Sequence, residues 1–267
     1  YENKYYKYED PEYSITQTPL NEQDLKMMSE AVEVLRQFKG FSYFTEMSDI
    51  INRLEDHVAS ARMKTTPVID FEKNESLKGL DYLDTIYHAI VNEHPIQLKY
   101  RSFKARSANS FIFYPYLLKE YRNRWFVYGV RGNGRVLQNL ALDRIQSLEV
   151  LPQEHYIKNT FFDPNTFFDD LVGVTKNTGS VAEKVGFKVA AAEAPYIITK
   201  PIHRSQQVME RLADGSVILE IEVVINHELE RVFFRYAEGI QVLYPKTLVE
   251  LMGRKLKKAA EQYTHSK

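Results

Sequence analysis

Pro95-Ile96-Gln97-Leu98-Lys99-Tyr100-Arg101 is the stretch on which the fold turns. Ahead of it, Leu80, Leu83, Ile86 and Ile90 recur at helical spacing over residues 80–92, and the proline stops that helix. Behind it the period falls to two: Ile96, Leu98 and Tyr100 alternate with Gln97, Lys99 and Arg101, as on a half-buried strand. Ser110–Lys119 reads as an aromatic strand that Pro115 assigns to an edge or a bulge. A short turn at Glu120–Asn123 leads into Arg124–Val130, and Asn133-Gly134 is a hairpin signal leading into Arg135–Leu142. Ile145–Leu151 follows at once. One helix and five short strands predict a small β-barrel over residues 80–152.

Residues 153–180 form an irregular connector, with aromatic residues at Phe161, Phe162, Phe167 and Phe168 but no clean period. Beyond it the pattern gives strand Val181–Val189, helix Ala191–Ile198, strand Ser205–Leu212, a turn at Asp214-Gly215 and strand Val217–Ile225. Helix Glu228–Ala237, strand Ile240–Leu243 and helix Lys246–Tyr263 complete it. This βαββαβ order predicts a ferredoxin-like domain over 181–267 with an extra helix, whose buried face is Leu248, Leu251, Met252, Leu256 and Ala259. In the other direction, residues 1–20 read as a tyrosine-rich arm or linker. Residues 21–79 hold two amphipathic helices, striped by Leu25, Met28, Val32, Leu35 and Phe38 and by Met47, Ile50, Ile51, Leu54 and Val58, then a linker. Their apolar side suits either packing on the next domain or dimerisation. The class is α+β.

The chain has 267 residues, 44% hydrophobic and 27% charged, a balance that belongs to globular proteins and not to disordered ones. It has no cysteine, which excludes disulfides, thiolate metal sites and a cysteine nucleophile. Apolar runs are only a few residues long, so no membrane partner is expected, and the expected location is cytoplasmic. The first residue is Tyr1 and not Met, as in a fragment of a longer protein. Total charge is −1, but residues 95–144 carry ten cations against Glu120 and Asp143, a balance of +8 that leaves −9 for the remainder. Such asymmetry marks a local anion-binding surface.

Four segments carry a resemblance to a known family: Gln97-Leu98-Lys99-Tyr100-Arg101, Tyr114-Pro115-Tyr116, Asn123-Arg124-Trp125-Phe126-Val127 and Leu142-Asp143-Arg144-Ile145. Together they resemble the WYL domain of bacterial regulators, with the eponymous triplet falling on Trp125, Phe126 and Val127. The C-terminal part, including Asp214-Gly215 and Tyr244-Pro245, is similar to the extension domain that follows it in many members. The resemblance implies a sensing barrel of Sm-like or SH3-like fold that binds a negatively charged effector, single-stranded nucleic acid or a nucleotide. It also implies a homodimer and transcription regulation through promoter DNA, bound by an N-terminal helix-turn-helix head that lies outside this sequence. Where members often carry Arg a few residues before Leu-Asp-Arg-Ile, this chain has Gln138, with Ala141 at a second cation position. That departure points to weaker polyanion binding or to a different or smaller ligand.

A ligand with phosphates and bases needs cations and flat side chains together, and arginine serves both needs. The candidate binding residues are Tyr100, Arg101, Tyr116, Lys119, Arg122, Arg124, Trp125 and Arg144. The 120–123 turn would bring Lys119 and Arg124 close across a hairpin. Trp125 suits a core as well as a stacking platform, and Arg144 beside Asp143 suits an ion pair that fixes the turn. A protein-interaction module with an acidic partner is the alternative reading. No catalytic residues, metal or cofactor are expected: the seven histidines lack metal spacing, and GxSxG, GxGxxG and Walker patterns are absent. Asp169-Asp170 reads as a solvated loop pair.

Overall fold

The computed structural model describes residue 27, residues 78–132, residue 134 and residues 136–264. The expected arm, the helical hairpin and the linker as far as residue 77 lie outside the described residues apart from Met27, as does Asn133 of the expected hairpin turn. Contacts divide the chain into two units, 1–84 and 85–267, and nearly all described residues belong to the second.

A 3-10 turn at Leu80–Tyr82 opens helix α1, Leu83–Val91. Strands β1 (Ile96–Tyr100), β2 (Asn109–Tyr121), β3 (Arg124–Arg131), β4 (Gln138–Ala141) and β5 (Ile145–Val150) follow. They form one antiparallel sheet in the order β4-β3-β2-β1-β5. Ile96 and Leu98 are fully buried, as the alternation predicts, together with Phe113, Val127 and Val130. Pro115 sits beside a bulge in the β2–β3 pairing, opposite Gly129. A Cβ at Gly129 would lie 2.1 Å from the Tyr114 carbonyl oxygen and 2.6 Å from the Phe113 ring, so only glycine allows the strands to pack there. The β2–β3 hairpin closes on Arg122 and Asn123 at φ 50° and 59°, the left-handed pair a tight two-residue turn requires.

The expected closed barrel is corrected. Among the described residues β4 and β5 are the free edges of an open sheet. The expected strand 135–142 pairs only from Gln138, and the chain then passes through a 3-10 turn, Leu142–Arg144, into β5. Four paired residues followed by a turn leave too little strand to build a closing ladder.

The second sheet holds β6 (Glu183–Val189), β7 (Gln207–Arg211), β8 (Val217–Val223) and β9 (Ile240–Tyr244), ordered β7-β8-β6-β9 and antiparallel throughout. Helices α2 (Ala194–Thr199), α3 (His227–Tyr236) and α4 (Lys246–Thr264) accompany it. Alternate strand residues Val185, Phe187, Leu219, Ile221 and Val242 join Ile197, Leu229, Phe233, Leu248 and Met252 in one core. The Asn226 side chain caps α3 by accepting the Leu229 N–H at 2.9 Å. The expected buried face of the last helix is corrected: Leu248 and Met252 are buried and Leu251 partly so, whereas Leu256 and Ala259 are exposed because the core that α4 packs on reaches no further than Met252.

Residues 151–180 pack on strands β2, β3 and β4 of the first sheet. Phe162, Phe167 and Phe168 surround the Tyr128 ring at 5.3–6.2 Å, and Tyr156 and Phe161 pack on Tyr116 at 6.1 Å. The Tyr128 hydroxyl and Asn139 Nδ2 both donate to the Val174 carbonyl, the latter at 2.7 Å. The same segment reaches the start of α3. Asn226 Nδ2 donates to the Val172 and Thr175 carbonyls at 3.0 and 2.9 Å, and the Thr175 hydroxyl donates to Glu228 at 2.8 Å.

Candidate nucleotide-binding pocket

The 3-10 turn between β4 and β5 is the foundation of the site. Asp143 in that turn stands between two arginines: Arg124 Nε lies 3.3 Å from its Oδ2, and Arg144 Nε lies 3.8 Å from its Oδ1. The second distance is an ion pair without a hydrogen bond, and both Arg144 Nε and Asp143 Oδ1 are buried with no hydrogen-bond partner. The Arg144 carbonyl accepts the Arg101 N–H at 3.1 Å, joining the end of β1 to the turn. The Tyr100 hydroxyl meets the Arg144 guanidinium and the Ala141 backbone. Burial pushes the Tyr100 phenol up from its ordinary value, and the Arg144 charge works against that rise.

Arg144 is completed by an aromatic neighbour. Its guanidinium carbon lies 4.5 Å from the centre of the Phe103 ring, and that ring is 72% exposed. Around this pair opens a cavity of about 290 Å³ lined by Arg101, Ser102, Phe103, Asp143, Arg144, Ile145 and Gln146. The loop joining β1 to β2 also carries exposed Lys104 and Arg106 and no acidic residue.

The structure thus brings four of the eight expected residues together: Tyr100, Arg101, Arg124 and Arg144. The other four lie elsewhere. Tyr116 is buried under Tyr156 and Phe161, and its hydroxyl has no partner; burial raises its pKa to about 12. Lys119 Nζ lies 4.6 Å from the Phe168 ring centre. Arg122 lies over Tyr121 at 5.4 Å in the hairpin turn, and half-buried Trp125 pairs with Glu120. Asp170 and Asp169 are held by Lys176 and Arg204, each at 2.7 Å. Among the described residues no three His, Asp or Glu side chains gather as a metal site, and no helix is long and apolar enough to cross a membrane.

The sequence pattern of the WYL domain matches residues 81–150, and that of the WCX domain matches residues 182–260. The chain carries a WYL domain followed by a WCX domain. Among solved structures it is similar to proteasome accessory factor B/C (PafBC) of Arthrobacter aurescens, at 16% identity and a TM-score of 0.29, over 72% of this chain and 28% of that one. It is also similar to a CRISPR Cas-related protein, at 12% identity and a TM-score of 0.45, over 94% of this chain and 75% of that one. The chain therefore spans little more than a quarter of the PafBC chain's length. No curated protein matches it.

Within the WYL domain, sequence reasoning missed Phe103, and it paired Asp143 with Arg144 but not with Arg124. Phe103 lies in a loop without period, and only the fold sets Arg144 against it. A signal was present in the alternation of cation and ring at Arg101, Phe103 and Lys104. The segment joining the WYL domain to the WCX domain was also missed as a cover. It occupies the surface on which Tyr116 and Lys119 were expected to receive a ligand.

Proposed function

We propose that this chain is the effector-sensing region of a bacterial transcriptional regulator, and that the pocket around Arg144 binds a negatively charged ligand, single-stranded nucleic acid or a nucleotide. The observation that carries this is Arg144 stacked on exposed Phe103 inside a pocket that Arg101 also lines. A guanidinium held on an aromatic ring offers charge for phosphate and a flat surface for a base. The strand order β5-β1-β2-β3-β4 with a 3-10 turn before β5 supports an Sm-like WYL sheet. The order β7-β8-β6-β9, in which the first strand lies between the third and fourth, supports a ferredoxin-like WCX domain. On this reading the protein is a non-enzymatic, cytoplasmic homodimer that reaches promoter DNA through a domain outside this chain. Ligand binding shifts the placement of the two protomers, which requires different affinity for the two states.

Fluorescence anisotropy tests it, using labelled single-stranded DNA, matched RNA and duplex DNA at low and near-physiological salt. The expected result is salt-sensitive binding to single strands over duplex, lost in Arg144→Ala. Binding to none of them, with salt-sensitive binding to an acidic protein instead, makes this face a protein-interaction surface.

A further inference from the structure

We propose that the Phe103–Arg144 pocket receives the phosphorylated end of a nucleotide chain, one terminal residue with its phosphomonoester, and not an internal stretch of strand. This rests on the nucleotide-binding reading above and narrows it to one kind of ligand.

Size is the first reason. At about 290 Å³ the cavity stands at the lower limit of small-molecule sites. That is room for one nucleotide, with any further residue of a strand lying outside it.

Charge is the second. Asp143 contributes a negative charge, and Arg124 pairs with its Oδ2 without lining the cavity. Asp143 is shared by Arg124 and Arg144, so with Arg101 three arginines stand against one carboxylate and leave a net of two positive charges around the pocket. A phosphomonoester carries about −1.5 to −2 at neutral pH, matching two cations, whereas an internal diester carries a single charge.

The third reason is that Arg144 is held in advance. Its carbonyl is tied to the Arg101 N–H at 3.1 Å, its guanidinium meets Tyr100 and Asp143, and one side of it rests on Phe103. Little ordering remains to be done when an anion arrives. The ring of Phe103, 72% exposed, is open to a stacking base, and Lys104 and Arg106 on the same loop can meet the phosphates that follow.

The test is anisotropy on the intact chain with one labelled oligothymidylate in three forms: 5′-phosphorylated, 3′-phosphorylated and hydroxyl at both ends. A terminal phosphate at one end is expected to tighten binding by about tenfold or more, the gain of a doubly charge-assisted contact. Thymidine monophosphate is expected to displace that strand, and failure to compete overturns the one-residue reading. Arg101→Ala, an exposed substitution, is expected to remove the preference for the phosphorylated end; its persistence in that variant overturns the assignment. Equal affinity for all three strands overturns the proposal and leaves nucleic-acid binding standing. No binding by any strand at low salt overturns both.

Discussion

Arg124 reaches Asp143 from the start of β3, with its Nε 3.3 Å from Oδ2, and so joins that strand to the turn that carries Arg144. Arg124 is 47% exposed and Asp143 only 15%, so the two ends of this pair are unequal. Arg124→Ala removes a solvent-screened partner and should cost about 0–1 kcal/mol. Asp143→Ala leaves the buried Arg144 Nε without its counter-charge and should cost about 1–3 kcal/mol. Urea unfolding of both variants checks the order, and a larger loss in Arg124→Ala would refute this account of the turn.

Tyr128 tests whether the connector is fastened to the WYL sheet by hydrogen bonds or by ring packing. Its hydroxyl shares the Val174 carbonyl with Asn139, while three phenylalanines surround its ring. Tyr128→Phe should cost about 1 kcal/mol because Asn139 still satisfies the carbonyl. Tyr128→Ala opens a cavity and should cost about 3–5 kcal/mol. Chemical denaturation measures both, and equal losses would show that the hydroxyl dominates.

Gly186 in β6 has the Tyr244 ring lying across it. A Cβ there would come within 2.1 Å of Tyr244 Cζ, and that tyrosine donates to Glu220 at 2.7 Å. Gly186→Ala should displace the ring and cost about 1–3 kcal/mol. In a Tyr244→Ala background the same change should cost far less, giving a coupling energy of about 1 kcal/mol or more in a double-mutant cycle. Additive losses would mean that the ring is not the obstacle.

His203 is the group through which acid should act on the WCX domain. It is buried and accepts the Ser205 N–H at Nδ1, 3.2 Å away, so its neutral ring carries the proton on Nε2. Burial holds its pKa below the ordinary histidine value; Arg204 lowers it too, while the Asp169 backbone and the Asp169 and Asp170 charges work in the other direction. The unfolded chain then binds the proton more tightly than the folded one. Stability is therefore present above the unfolded pKa of about 6.5 and is lost as pH falls below it. His203→Gln should flatten the decline in Tm between about pH 7 and pH 5. An unchanged slope in that variant would assign the acid sensitivity to other groups.

Much of the framework is readable from local patterning. The alternation at Ile96 and Leu98 predicts the buried face of β1 because a strand's side chains point to opposite faces by turns. Arg122 and Asn123 fall where a turn was expected between two apolar runs. The candidate site was half legible: charge counting found Arg101, Arg124 and Arg144, since cations crowd a stretch whose strands pair with one another. Phe103, the cover over Tyr116 and the exposed end of α4 were not legible. Each depends on what a distant segment does, and periodicity reports only neighbours.

By itself, then, the chain's order of residues determined the strands, the turns, the basic window and the absence of thiol chemistry, all consequences of local conformation and composition. Tertiary structure decided which cations gather, because Arg101, Arg124 and Arg144 meet only once β1, β3 and the turn before β5 are brought together around Asp143. It also decided which aromatics stay open to a ligand: Tyr116 is buried under residues 156 and 161, some forty positions away, while Phe103 projects from a loop and is 72% exposed.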